Sequence, residues 1–209
     1  MQTPATVYTH CDELEQLPAE NRDNWLQESA VISSLLKTNA SVLQVGCANA
    51  SRLIDLKTRR PDVRFLGIDI EEDLLKDARR NIEKAGLQLE TRLCDITADE
   101  KCAALGHFDY VLCLNNTLGY IPDESAALRN MKSLGSQVLM SVYGEKFGDD
   151  LAQQYFTTLG LKVQTIADNR FTFADFSSVK RYARADVDSW GGLITETPLG
   201  YLCILSHAS

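Results

Sequence analysis

The chain has 209 residues, 44% of them hydrophobic and 24% charged, the make-up of an ordinary globular protein with a full core. Twenty-one Lys and Arg face 29 Asp and Glu, a net charge of −8, which argues against a nucleic-acid or anionic-membrane surface. The opening MQTPATVYTHCDELEQ lacks the basic and apolar regions of a signal peptide, and no run approaches the roughly 18 apolar residues of a membrane span. Its six cysteines form neither a CxxC pair nor a zinc spacing, so a cytoplasmic protein with reduced thiols is expected.

Residues 19–37 predict an amphipathic helix with Trp25, Leu26, Ala30, Ile32, Leu35 and Leu36 on its apolar face. SVLQVG (41–46) is a nearly continuous apolar run, the pattern of a strand buried on both faces. Small residues from Cys47 to Ser51 lead into a helix. VRFLGID (63–69) repeats the strand pattern, and a helix follows from Glu71 to about Lys84. LETRLCD (89–95) alternates and ends in an acid, before a short helix over 98–105. FDYVLCLN (108–115) is the fourth strand, and Pro122-Asp123 opens a helix to Met131. QVLMSVY (137–143) is the fifth strand, 148–159 a helix stopped by Gly160, LKVQTI (161–166) the sixth strand and GYLCILSHA (200–208) the last. Between the last two, 170–198 is mixed, with weak helical signal at 178–184.

Strands alternating with helices specify an α/β fold: a doubly wound, mostly parallel seven-stranded sheet with helices on both faces, its last strand antiparallel after a terminal hairpin. The expected division is an N-terminal helical lid over 1–38 and a main domain over 39–209, with a substrate-side insertion at about 170–198.

In such a sheet, ligands bind beyond the carboxyl ends of the strands. The first strand ends in Gly46-Cys47-Ala48-Asn49-Ala50, small enough for backbone amides to approach a ligand. The second ends in Asp69, 23 residues on, where a carboxylate can accept both hydrogens of a ribose diol. Asp95 ends the third and Asn115-Asn116 the fourth. Singly, Asp69 and Asp95 read equally well as caps of the helices that follow them. As a set, four consecutive strand ends present small or polar groups to one edge.

The segments VLQVGCANA (42–50), FLGIDIEEDLLKDAR (65–79), LCDIT (93–97) and FDYVLCLNNTLGYI (108–121) resemble a class I S-adenosylmethionine-dependent methyltransferase of the small-molecule type, with a Rossmann-like methyltransferase fold. The resemblance implies S-adenosyl-L-methionine as cofactor. It implies that Gly46, Cys47 and Ala48 touch the methionine end, that Asp69 binds the ribose and that Ile70 packs on the adenine. Asp95 and Ile96 would take the adenine amino edge, and the backbone of Leu114 and Asn115 the ammonium. The sequence departs from the family pattern at Gln44, where an acid is usual, and at Ala48 and Ala50, which replace glycines; alanine fits there only where φ stays negative. A nicotinamide dinucleotide reader is the competing fit, but its G-x-G-x-x-G loop keeps one glycine of three here.

The implied reaction is methylation of a small molecule, on nitrogen, by an enzyme with no catalytic residue legible in the sequence. In-line transfer from a sulfonium depends on alignment more than on acid–base chemistry. No acid cluster points to a metal. Asn116, Tyr120 and Tyr143 are the expected acceptor-side residues. Phe171, Phe173, Phe176, Tyr182 and Trp190 of the insertion are expected to wall the acceptor; Arg181 and Arg184 read first as a solvated helix face, with holding an acidic acceptor as the alternative. Tyr8 and His10 are candidates for a flap over the cofactor; His107 and His207 read as surface residues. The alternatives are a non-catalytic S-adenosylmethionine-binding relative, acting as a sensor or partner subunit, and a protein side-chain methyltransferase. The expected partner is a small-molecule acceptor, and oligomeric state is not legible.

Overall fold

The computed structural model describes residue 14, residues 17–174 and residues 177–206. Tyr8, His10, Phe176 and His207 lie outside the described residues. The chain opens with α1 (Ala19–Leu35), β1 (Ser41–Val45) and α2 (Ser51–Arg59). It continues through β2 (Arg64–Asp69), α3 (Glu72–Lys84), β3 (Glu90–Leu93), α4 (Asp99–Ala103) and β4 (Phe108–Cys113). A 3₁₀ turn (Thr117–Tyr120) leads to α5 (Glu124–Leu134), β5 (Gly135–Tyr143) and α6 (Asp149–Thr158). The remainder is β6 (Val163–Ala167), β7 (Arg170–Phe173), β8 (Ser178–Lys180), α7 (Arg184–Ser189), β9 (Leu193–Glu196) and β10 (Gly200–Ser206).

The main sheet has seven strands in the order β3-β2-β1-β4-β5-β10-β9. Strands β1 to β5 run parallel, and β10 runs antiparallel to β5, as the sequence predicts for the last strand. Chain order reverses between β1 and β4, which makes their carboxyl ends the crevice where a doubly wound sheet takes its ligand. Side chains alternate across β1: Val42 enters the core under α1, α2 and α3, while Leu43 and Val45 enter the core under α4, α5 and α7.

The predicted sixth strand does not join this sheet. Strand β6 pairs with β7, and β7 with β8, in a separate three-stranded antiparallel sheet. Asp168 and Asn169, at φ 49° and 58°, turn the chain straight back in a two-residue hairpin. The place of the missing strand is filled by β9, from the segment expected as an insertion. The weak helical signal at 178–184 divides into β8 and the first residue of α7.

Helix α1 also departs from expectation. Its inward face is Asn21, Asn24, Trp25, Glu28, Ser29 and Ile32, mostly polar, while Leu26, Ala30 and Leu35 are exposed. The apolar reading of this helix holds only for Trp25, Ile32 and the flanking Leu36. A third core cluster is aromatic: Tyr143, Phe147, Tyr155, Phe156, Phe171 and Phe173 pack together, with Phe147 stacked on Tyr143 at 4.0 Å. Trp25, Leu17 and Leu199 border it.

Candidate functional site

A cavity of about 380 Å³ lies at the carboxyl ends of β1, β2 and β4. All nine residues expected to hold the cofactor line it: Gly46, Cys47, Ala48, Asp69 and Ile70, then Asp95, Ile96, Leu114 and Asn115. Tyr120 and Tyr143 line it too.

The β1–α2 loop keeps the backbone of a glycine loop although two of its glycines are absent. Gly46 has φ +66°, and a Cβ there would come within 2.3 Å of Thr117 Cγ2. Ala48 at φ +46° and Ala50 at φ +70° both occupy the left-handed region, against the expectation that alanine there needs a negative φ. Each costs about 1–2 kcal/mol relative to ordinary backbone. Asp69 fastens the loop: Ala48 N–H donates to its Oδ2 at 2.9 Å, and Glu71 N–H to its Oδ1 at 3.1 Å. It therefore sits two residues ahead of the α3 N-cap, Glu71, and is not itself that cap. Burial pushes its carboxyl above the ordinary range, partly offset by the amides of Ala48, Glu71 and Ile70. Each oxygen keeps capacity for a further hydrogen bond, and Asp69 lines the cavity.

Asp95 is likewise no helix cap. Its Oδ1 accepts from Thr97 N–H at 2.8 Å and Thr97 Oγ1 at 2.7 Å, and Ala98 caps α4. Ile70 is 57% exposed, an apolar side chain held out at the cavity rim. The Leu114 carbonyl already accepts twice, from Thr117 N–H and Thr117 Oγ1, so of the two expected backbone groups Asn115 is the one with capacity to spare.

Beneath α1 runs a buried polar network that the sequence did not announce. Arg52, on the first turn of α2, is 3% exposed and pairs with Glu28 at 2.9 Å. It also donates to the Trp25 carbonyl at 2.8 Å, Ser29 Oγ at 2.6 Å and Asn115 Oδ1 at 2.7 Å. Its guanidinium lies 4.0 Å from the Trp25 ring centroid. Glu28 accepts further from Asn24 Nδ2 and from Ser141 Oγ, whose oxygen in turn takes the Asn115 N–H. Burial raises the Glu28 carboxyl, outweighing the pull of Arg52. Three atoms of cavity-lining side chains remain buried without a partner: Asn21 Oδ1, Gln44 Oε1 and Arg52 Nε. The one available signal was the spacing of Asn21, Asn24 and Glu28, which places them on one helix face.

Other expected acceptor residues are placed elsewhere. Asn116 is fully buried and off the cavity wall; its Nδ2 donates to the Lys180 carbonyl and its Oδ1 accepts from Tyr143 N–H. It clasps the β4 turn to β5 and β8. None of the described residues of the insertion lines the cavity. Phe171 and Phe173 sit inside the aromatic cluster, and Tyr182 is fully buried with Trp190 packed edge-on against it. Arg181 is paired with Asp149 and Arg184 with Asp188. Leu17, Asn21, Trp25, Tyr155 and Leu199, none of them expected from the sequence as acceptor residues, do line the cavity.

The five cysteines among the described residues are buried free thiols, and burial pushes Cys113 and Cys203 up to about 12. No described helix is long and apolar enough to cross a membrane.

Known proteins share both the pattern and the fold. A carboxy-S-adenosyl-L-methionine synthase from Campylobacter hominis is 34% identical over 91 residues, 44% of this chain and 37% of that protein. The chain spans well under half the length of the curated relatives it matches. The PH0226 protein from Pyrococcus horikoshii OT3 superposes with a TM-score of 0.69 at 15% identity, covering 90% of this chain and 92% of that one. CalS10 from Micromonospora echinaspora, an amino pentose methyltransferase solved with S-adenosylmethionine, superposes at 0.61 with 16% identity, covering 88% and 92%. The family described as "Methyltransferase domain" matches residues 36–154, from just past α1 into α6, and the chain belongs to it.

Proposed function

We propose that the chain transfers the methyl group of S-adenosyl-L-methionine to nitrogen of a small molecule. The observation that carries this is the single cavity in which the strand-end acids Asp69 and Asp95 share a wall with the aromatic end at Trp25, Tyr120 and Tyr143. The residues present fit the cofactor. Asp69 would hold the ribose hydroxyls, Ile70 the adenine face, and Asp95 with Ile96 the adenine edge. The unpartnered Gln44 Oε1 and Arg52 Nε offer one acceptor and one donor to the zwitterionic methionine end. When bound, the cofactor supplies a methyl group on a positively charged sulfur. The protein's own share is alignment: Arg52 and Glu28 anchor α1 over the cavity, where it acts as the helical lid, and the Trp25 and tyrosine faces favour positive charge.

The test is release of S-adenosylhomocysteine from S-adenosylmethionine in the presence of a panel of amines, hydroxyls and basic peptides. Turnover with amines supports the reading. Turnover with peptides alone replaces it by protein methylation, and tight binding without any turnover replaces it by a binding-only role.

A second reading is favoured by Arg52, the one cationic side chain among the described lining residues. A relative is named a carboxy-S-adenosyl-L-methionine synthase, and a buried guanidinium suits a cofactor bearing an additional carboxylate. Mass spectrometry of the nucleoside bound to freshly purified protein separates the two, since the carboxylated form is heavier by one carbon dioxide.

A further inference from the structure

Six side chains belong at once to the aromatic core cluster and to the cavity wall: Leu17, Trp25, Tyr120, Tyr143, Tyr155 and Leu199. They make one end of the cavity apolar and aromatic. Asn21 stands among them on α1, one turn before Trp25, and also lines the cavity. It is 5% exposed, and its Oδ1 is buried with no hydrogen-bond partner. A buried amide oxygen with no partner carries an uncompensated desolvation penalty, which a bound donor removes. Its neighbour Asn24 is already spent, donating to Glu28 at 2.7 Å and accepting from Leu199 N–H at 3.4 Å.

We infer that Asn21 is the acceptor-reading residue, and that it takes an N–H of an apolar, aromatic-sized amine seated between Trp25 and the tyrosines. This rests on the methyl-transfer reading above. The chemistry of the wall selects the class. None of these seven described side chains is a carboxylate, an imidazole or an amine, so they offer a hydroxyl acceptor no strong base. A neutral amine needs none, because its lone pair is already the nucleophile. The amine nitrogen forms the new N–C bond while the S–C bond breaks and its electron pair returns to sulfur. The positive charge passes from sulfur to nitrogen, and the product leaves as the methylated ammonium ion. Aromatic faces favour a cation at both stages. With Oδ1 accepting one N–H, the lone pair is left to point away from α1.

The experiment is calorimetric binding of 2-phenylethylamine to the full chain saturated with S-adenosylhomocysteine. Trimethyl(2-phenylethyl)ammonium, which has no N–H, is the control ligand. Asn21→Leu should weaken the amine by about tenfold or more and leave the quaternary ion within about twofold. Asn21→Ala, a good helix former that adds no bulk, should give the same contrast. An equal loss for both ligands, no loss for either, or no amine binding to the loaded wild-type chain overturns the assignment while the methyltransferase reading stands. Failure of the wild-type chain to bind S-adenosylhomocysteine contradicts that reading, and this inference with it.

Discussion

The guanidinium of Arg52 and the carboxylate of Glu28 meet at 2.9 Å inside the protein, each side chain 3% exposed. The pair joins α1 to the helix that follows the cofactor loop, and through Ser141 and Asn115 it reaches β5 and the β4 turn. Removing one member strands a buried charge, whereas removing both does not. Glu28→Ala is therefore predicted to cost about 3–5 kcal/mol. Glu28→Ala combined with Arg52→Met should cost less than the sum of the two single changes. Urea denaturation of the three variants decides the matter, and strict additivity would show that the two charges do not stabilise one another.

The cofactor loop stores strain that a glycine would relieve. Ala48 is only half-buried, so Ala48→Gly removes a left-handed penalty of about 1–2 kcal/mol against about 0.4–1 kcal/mol of added unfolded-state entropy, a net gain near 0.5–1 kcal/mol. Ala50 has the same backbone but is fully buried, and Ala50→Gly forfeits about 0.8 kcal/mol of methyl burial, leaving stability nearly unchanged. Melting curves of the two variants should separate in that order. A destabilised Ala48→Gly protein would mean that the loop is not strained as described.

Asp69 gives stability and affinity opposite responses to pH. Its carboxyl is held above the ordinary value, so the folded chain keeps that proton to higher pH than the unfolded chain does. Between the two values the unfolded state binds fewer protons, and the Asp69 contribution to stability, fully present at the acid end, is lost as pH rises through the folded value. Glu28 acts in the same sense. Ribose hydroxyls donate to the ionised carboxylate, so cofactor affinity should strengthen over the same rise. Denaturation and cofactor titration at matched pH values test both trends, and Asp69→Asn should flatten each. An unchanged affinity profile in that variant would remove Asp69 from the ribose.

The strand ends were legible because they depend on local patterns: strand-like segments, apolar or alternating, closing in Gly46, Asp69, Asp95 and Asn115 put all four at one sheet edge once the fold is doubly wound. The polar network under α1 was not, because its residues are joined only by tertiary packing. Glu28 and Arg52 lie 24 residues apart, and nothing in either segment marks them as partners. The buried face of α1 is polar, so an apolar stripe was the wrong signal to follow. Asn116 looked like a strand-end ligand group, yet its position in the left-handed region turned its amide inward to clasp Lys180 and Tyr143. Strand β6 carried a strand pattern, but only the Asp168-Asn169 turn decided which sheet it entered.

The central claim is that the cavity at the β1 and β2 ends binds S-adenosylmethionine through Asp69. Calorimetric titration of the wild-type chain and of Asp69→Asn with S-adenosylmethionine, S-adenosylhomocysteine and NAD⁺ tests it most directly. The account predicts saturable binding of both sulfur nucleosides, none of NAD⁺, and a loss of about 1.5–3 kcal/mol in the variant, the range of a charge-assisted hydrogen bond. Binding of NAD⁺ alone, or equal affinities in the two proteins, would contradict it.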